Sequence, residues 1–330
     1  MSSPHLEAIT LPVETPQVRL AVIVLNYCTA DLALVAAQSA ALDVDPQQDV
    51  VLIVDNASPN GCADEIERSL QELALPHVRL IRSPRNGGFA AGNNVGIRAV
   101  AAQHYVLLNS DTVVRPGAMK LLLTALTEDE SIGIVSPQLC EENGTPQISC
   151  FRFLSLGSEF IRGASTGFVT RALRRYDVPL GVLRSVADVP WTSFACVMIK
   201  CSIFEQVGLL DEGYFMYFED ADYCRCVRRA GFRIVHEPAA QVVHLRGKSS
   251  PVKEATRLKK PRPSYFYEAR ARYFARGYGP LGPFLANLAW TLGLCVVWPR
   301  QIIGLKEQTM MEDEFLDNWR GKRQVKETNS

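Results

Sequence analysis

The chain has no net charge: over 330 residues, 35 Lys and Arg balance 35 Asp and Glu. That excludes a chain-wide polycation built to bind a nucleic-acid backbone. It has no Cys-x-x-Cys pair. Its nine cysteines are odd in number, with Cys224 and Cys226 the nearest to one another. They are too few for a disulfide scaffold in a chain this long, so a reduced, cytosolic protein is expected. The N-terminus lacks a basic-then-apolar run and carries Glu7 and Glu14 instead, so no secretory signal is read there. There is no internal repeat and no low-complexity tract. The glycine-rich stretch around residues 87–92 is not followed by Gly-Lys-Ser/Thr, which excludes a Walker loop there. The first apolar run leads into Asn26-Tyr-Cys-Thr without a glycine, which argues against a dinucleotide fingerprint and a nicotinamide dehydrogenase.

What is present is a globular composition, 47% hydrophobic and 21% charged. Residues 1–17 hold Pro4, Pro12 and Pro16 and read as a flexible tail. Leu20–Leu25, Val50–Val54, Val78–Ile81, Tyr105–Leu108 and Ile132–Val135 are short apolar runs, as expected of strands buried on both faces. Helix-compatible stretches separate them, at about 31–42, 64–75, 88–102 and from Pro116 to about Glu128. This alternation predicts an α/β fold, Rossmann-like, with a mainly parallel sheet covered by helices on both faces. Ligands bind such sheets at the carboxyl ends of the strands.

Four of these strand ends deliver polar groups: Asn26-Tyr27, Asp55-Asn-Ala-Ser58, Arg85-Asn-Gly-Gly-Phe89 and Asn109-Ser-Asp111. Each alone is compatible with turns and helix caps. Four together point to a shared ligand site. The stretch Arg85–Asn94 is the most informative. Its glycines permit close backbone approach, its asparagines both donate and accept, and its arginine suits a phosphate. Further on, Gly213–Gly231 is aromatic first and then helical, with Glu219, Asp220 and Asp222 at the predicted helix start. Carboxylates there either answer the helix dipole or mark a functional cluster.

Leu-Asn-Tyr, Val-Asp-Asn-Ala-Ser, Arg-Asn-Gly-Gly-Phe-Ala-Ala-Gly-Asn-Asn, Leu-Leu-Asn-Ser-Asp and Phe-Glu-Asp-Ala-Asp-Tyr, in this order over residues 19–245, resemble the inverting family 2 glycosyltransferases of the GT-A fold. Within them the chain is most similar to rhamnosyltransferases of bacterial surface polysaccharide assembly. The resemblance implies a nucleotide-sugar donor, dTDP- or UDP-linked, and a glycan acceptor carried on a lipid. It places Asn26, Asp55, Arg85 and Asn93 around the nucleotide, with Asp55 accepting from the base. Asn109-Ser-Asp111 takes the position of the family's Asp-x-Asp, so Asp111 is the carboxylate for Mg²⁺ or Mn²⁺. The neutral Asn109 departs from the motif and is left to contact donor ribose. Asp220 is implied as the general base, and Trp191, Glu219 and Asp222 fall on the acceptor side. His244 completes the metal site in this reading, with His236 as its rival. Alternatives are another donor (UDP-galactofuranose or a UDP-hexose) and a catalytically silent sugar-nucleotide or glycan-binding module.

Charge is unevenly spread. Residues 1–245 carry 19 basic and 27 acidic residues, whereas 246–276 carry ten basic residues against Glu254 and Glu268. The break suggests a catalytic domain over 18–245 and a basic, apolar, helical C-terminal region over 246–330. Residues 281–298 contain no charged side chain and include Trp290 and Trp298. Two readings stand: a helix lying in the interface of an anionic membrane on its cytoplasmic face, or a helix buried against the catalytic domain or a second subunit.

Overall fold

The computed structural model describes residues 17–245, 262–302 and 314–320. The expected tail at 1–16, six of the ten basic residues of 246–276 and the far C-terminus lie outside the described residues.

The strands are β1 (Val18–Asn26), β2 (Asp49–Asp55), β3 (Val78–Arg82), β4 (Ala102–Asn109), β5 (Thr112–Val114), β6 (Ile132–Cys140), β7 (Cys150–Phe151), β8 (Ala187–Asp188), β9 (Trp191–Thr192), β10 (Cys196–Lys200) and β11 (Arg233–His244). The helices are α1 (Ala30–Ala41), α2 (Cys62–Leu73), α3 (Gly88–Ala99), α4 (Ala118–Thr127), α5 (Leu156–Ala164), α6 (Gly167–Ala172), α7 (Cys201–Val207), α8 (Glu219–Arg229), α9 (Ser264–Tyr278), α10 (Gly282–Ile302) and α11 (Glu314–Arg320).

The main sheet runs β3-β2-β1-β4-β10-β6-β11-β5, with β8 added beside β11. Its β3-β2-β1-β4 half is parallel, as the strand–helix alternation predicts. β10 is inserted antiparallel between β4 and β6, and β5 and β8 run antiparallel to β11. Residues of opposite parity feed two cores: Val22 and Val24 of β1 pack on one face, and Ala21 and Ile23 on the other. On the first face the small residues of α1 (Ala33, Ala36, Ala37, Ala40) let that helix lie close. Pro116 precedes α4 rather than sitting in its first turn. Gly117 turns there at φ 84°, and the Asp43 carboxylate accepts from the Gly117 and Met119 N–H groups.

Strand register positions the polar ends. Asn26 lies opposite Asp55, and Leu25 opposite Asn109. The parallel strands therefore end together, and the polar residues that follow them gather along one edge.

The C-terminal helices belong to the same body. Ala269, Tyr273, Phe274 and Ala286 share the second core with β1, β4 and β10. Arg225 holds the Asp222 carboxylate on α8 and donates to the Tyr273 carbonyl 3.2 Å away on α9. α10 crosses α5 with backbones nearly touching: a Cβ on Gly293 would meet the Phe160 carbonyl at 2.2 Å, and one on Gly163 the Trp290 carbonyl at 2.1 Å. All four described basic residues of the charged segment are paired within the protein. Arg262 faces Glu314 at 3.3 Å, Arg270 faces Glu159 at 2.6 Å, Arg272 faces Asp211 at 2.8 Å and Arg276 faces Asp222 at 2.8 Å.

Candidate active site

Asp55 is the hub of the first strand ends. Its Oδ1 accepts from Asn26 Nδ2 at 2.8 Å and from Ser58 Oγ at 2.6 Å, and its Oδ2 accepts from the Ser58 N–H at 3.0 Å. A carboxylate offers about four acceptor positions, so one remains for an outside donor. Asn26 is fully buried. Its Oδ1 takes the Thr29 N–H and hydroxyl at 3.2 and 3.0 Å, so it braces Asp55 from behind. Thr29 Oγ1 lies 3.1 Å from Ser110 Oγ, which ties the loop after β1 to the turn after β4.

The glycine-rich loop is clamped from two sides. Asn56 Nδ2 donates to Asn86 Oδ1 (2.9 Å) and the Gly88 carbonyl (3.1 Å). Gly88 has φ +83°, and a Cβ there would meet the Phe215 carbonyl at 2.0 Å; Phe89 N–H donates to that same carbonyl at 2.7 Å. Asn94 Nδ2 donates to the Leu210 carbonyl (2.9 Å) and Glu212 (3.0 Å), and its Oδ1 accepts from the Leu210 N–H (3.2 Å). Helix α3 thus holds the loop that leads into α8. Asn93 is buried, with Nδ2 on the Phe89 carbonyl and Oδ1 unpaired; Arg85 is exposed at the rim of this loop.

Asp111 and His244 meet through strand pairing. His244 lies opposite Thr112 where β11 runs antiparallel to β5, and the Leu245 N–H donates to the Asp111 carbonyl at 2.8 Å. His244 Nε2 stands 3.5 Å from Asp111 Oδ1, and both residues are buried. That spacing and the oxygen–imidazole pair fit adjacent ligands on one divalent ion. Among the described residues no group of three or more His, Cys, Asp or Glu side chains gathers as a metal site, so an ion here would draw its other ligands from substrate and water. His236, the rival, sits in the core with Nδ1 3.3 Å from Ser136 Oγ, and burial lowers its pKa to about 4.

α8 opens on the acidic cluster. Tyr217 and Phe218 before it both have positive φ, 71° and 67°, and Cys28 and Ala57 in the loops after β1 and β2 do likewise at 59° and 57°. Four such non-glycine residues around one edge are the strain that functional sites accumulate. Burial raises the Asp220 pKa to about 6, against hydrogen bonds from backbone groups including Ala221 and Phe194. Glu219 is raised well above the carboxylate range by burial and then by the adjacent Asp220 charge, and its Oε2 is buried without a partner.

Two residues expected on the acceptor side are engaged within the protein. Trp191 is buried, with its ring stacked on Phe151 at 4.4 Å and its N–H donated to the Arg152 carbonyl at 2.8 Å. Asp222 is held by Arg225 and by Arg276 at 2.8 Å, and it fastens α8 to α9. The segment 193–195 was not singled out by sequence. Its Ala195 carbonyl accepts from the Asn109 N–H at 2.9 Å, and Phe194 hydrogen-bonds Asp220 through its backbone. Adjacent residues thus join the Asn109–Asp111 turn to the carboxylate on α8.

The mostly parallel sheet, with polar residues gathered where its strands end, has the architecture of a GT-A fold. A family model described as "Glycosyltransferase like family 2" matches residues 16–262, and the chain belongs to that family. It is 27% identical over 263 residues to the N-acetylglucosaminyl-diphospho-decaprenol L-rhamnosyltransferase of Mycobacterium tuberculosis, covering 73% of this chain and 79% of that one. It is 29% identical over 168 residues to the rhamnosyltransferase WbbL of Escherichia coli K12, covering 48% and 60%. Among solved structures, a Pyrobaculum calidifontis mannosyltransferase in complex with GDP-Man and Mn²⁺ shares the fold, with TM-score 0.58, 16% identity and coverage of 90% and 80%.

Proposed function

We propose that the protein transfers L-rhamnose from dTDP-rhamnose, with inversion, to a hydroxyl of a growing lipid-linked glycan. The observation that supports the reading is the hydrogen-bonded path from Asn109 through Ala195 and Phe194 to Asp220, which links the turn proposed to face the donor to the proposed base. The two rhamnosyltransferase relatives support the sugar, and the printed decaprenol acceptor of one supports the lipid carrier. In the reaction, the remaining Asp55 acceptor position takes the N3–H of the thymine base. Asp111 and His244 would hold the divalent ion, Mg²⁺ or Mn²⁺, which when bound offsets charge on the leaving diphosphate. Arg85 adds a cation from the rim. Asp220 removes the proton of the acceptor hydroxyl as that oxygen bonds to the anomeric carbon, and the nucleoside diphosphate leaves from the opposite face. A base with a pKa near 6 is ionised at neutral pH yet still basic enough to help. Glu219, whose carboxyl burial favours in its neutral form, would donate a hydrogen bond to the acceptor.

A thermal-shift panel of nucleotides and nucleotide sugars with Mg²⁺ or Mn²⁺ tests the donor assignment. TDP and UDP should raise the melting temperature, dTDP-rhamnose should be turned over, and Asp55→Ala should erase the nucleotide-induced shift. Equal stabilisation by GDP and ADP would remove the base-recognition argument. Turnover of a UDP-hexose in preference to dTDP-rhamnose would reassign the sugar.

A further inference from the structure

The last two described helices both turn apolar side chains outward. In α11, Glu314, Asp317 and Asn318 are buried, whereas Phe315, Leu316 and Trp319 are exposed. Glu314 turns inward to Arg162 at 2.8 Å, and the Asn318 carbonyl accepts from Asn287 of α10 at 2.7 Å. α10 is apolar on both sides. Ala286, Asn287, Trp290 and Val297 face the protein, while Phe284, Leu288, Leu292, Val296 and Trp298 face outward at helical spacing. Phe284 and Trp319 touch, with ring centroids 5.8 Å apart, so the two outward stripes join. The stretch Gly282–Pro299 has a mean hydropathy of 1.2 and is only 33% buried.

We propose that this joined face of α10 and α11 docks into the surface layer of an anionic lipid bilayer. A soluble helix normally buries its apolar side and exposes its carboxylates; here Glu314 is paired inside with Arg162 and Arg262, and among the described residues nothing covers the apolar side. Two exposed tryptophans suit headgroup depth. The charge of the neighbouring surface selects the lipid. α5, on which α10 rests, leads directly into α6 and the turn after it, where Phe168, Arg171, Arg174 and Arg175 are exposed and residues 167–176 contain no acidic side chain. A second copy of the chain would cover the apolar stripe but would leave those cations without a role. The surface differs from the one expected from sequence, because Trp290 is buried under Arg162 and the arginines of α9 are paired internally. It also has a route to the chemistry. Tyr265 and Phe266 at the start of α9 pack on Phe215, Tyr217 and Phe218, the loop before Asp220.

The test is flotation of the full chain with vesicles of phosphatidylcholine alone and of phosphatidylcholine mixed with phosphatidylglycerol, at low and high salt. It reads no transfer, so it stands apart from the proposed reaction. Truncation is unsuitable because α9 is part of the core, so substitutions at exposed positions are used. The parent should float only with the anionic vesicles and less so at high salt. Leu288→Glu with Leu292→Glu should lower the bound fraction about tenfold or more, since two inserted apolar side chains are lost. Arg171→Glu, Arg174→Glu and Arg175→Glu together, which leave α10 and α11 untouched, should weaken it as well. A parent that stays unbound at low salt overturns the proposal, as does binding that neither variant reduces. A parent that is dimeric, does not float, and becomes monomeric on Leu288→Glu with Leu292→Glu assigns the face to a second copy instead.

Discussion

At the scale of single residues, Asp220, the proposed base, sits where burial works against its charged form. Burial holds its pKa near 6, above the unfolded value of about 3.9. A carboxyl raised in the folded state favours folding below its unfolded pKa, and that contribution is lost as pH rises through the folded pKa. Asp220→Asn should therefore melt higher than the parent at pH 8, by about 2 kcal/mol, and match it near pH 4. Calorimetry at the two pH values checks this; an equal or lower melting point at pH 8 would mean that the carboxylate is a needed cap. The acid limb of kcat/KM for the parent should fall near pH 6. The acidic cluster that holds this residue was legible, because carboxylates after an aromatic run are a sequence signal, and the family resemblance singles out Asp220 within it. The packing of Trp191 on Phe151 and Arg152 was not, because those partners lie far off in the chain. Asp222 has one partner close in sequence, Arg225, but its tie to Arg276 leaves no local pattern.

At the scale of elements, the parallel strands were legible because strands buried on both faces read as unbroken apolar runs. β5 and β10 were not. The first has three residues and the second five, and nothing in such short runs reports that they insert antiparallel. The same limit hid the coupling between α3 and the loop before α8. The Arg85–Asn94 stretch announces a ligand loop, but its grip on Leu210, Glu212 and Phe215 is a tertiary fact. Gly88→Ala should expose it. The left-handed φ costs about 1–2 kcal/mol for a residue with a Cβ, and the Phe215 carbonyl must also shift. Chemical denaturation should show a loss above about 2 kcal/mol, and kcat should fall with it as the base loop moves. An unchanged midpoint and unchanged kcat would show that the loop relaxes freely.

At the scale of the whole molecule, the described helices that follow the composition break at residue 246 pack into the same core as the sheet. The C-terminal helices are fastened by Glu159, buried against Arg270 at 2.6 Å and Arg162 at 2.8 Å. The two arginines, working against burial, hold its pKa below the usual range. Its contribution is thus present above the unfolded pKa of about 4.3 and is lost as pH falls through the folded one. Glu159→Ala should cost about 3–5 kcal/mol at pH 7, because it strands two buried cations; a change within about 0.5 kcal/mol in urea denaturation would show that they find water or Glu314. The proposed donor site and the proposed base act as one transferring centre, and comparing nucleotide release with nucleotide binding in the parent and in Asp220→Asn tests this most directly. With dTDP-rhamnose, Mn²⁺ and a hydroxyl acceptor, TDP release should fall about a hundredfold or more in the variant, while the thermal shift produced by TDP stays the same. Retained release in Asp220→Asn, or a TDP shift that disappears with it, would contradict the account.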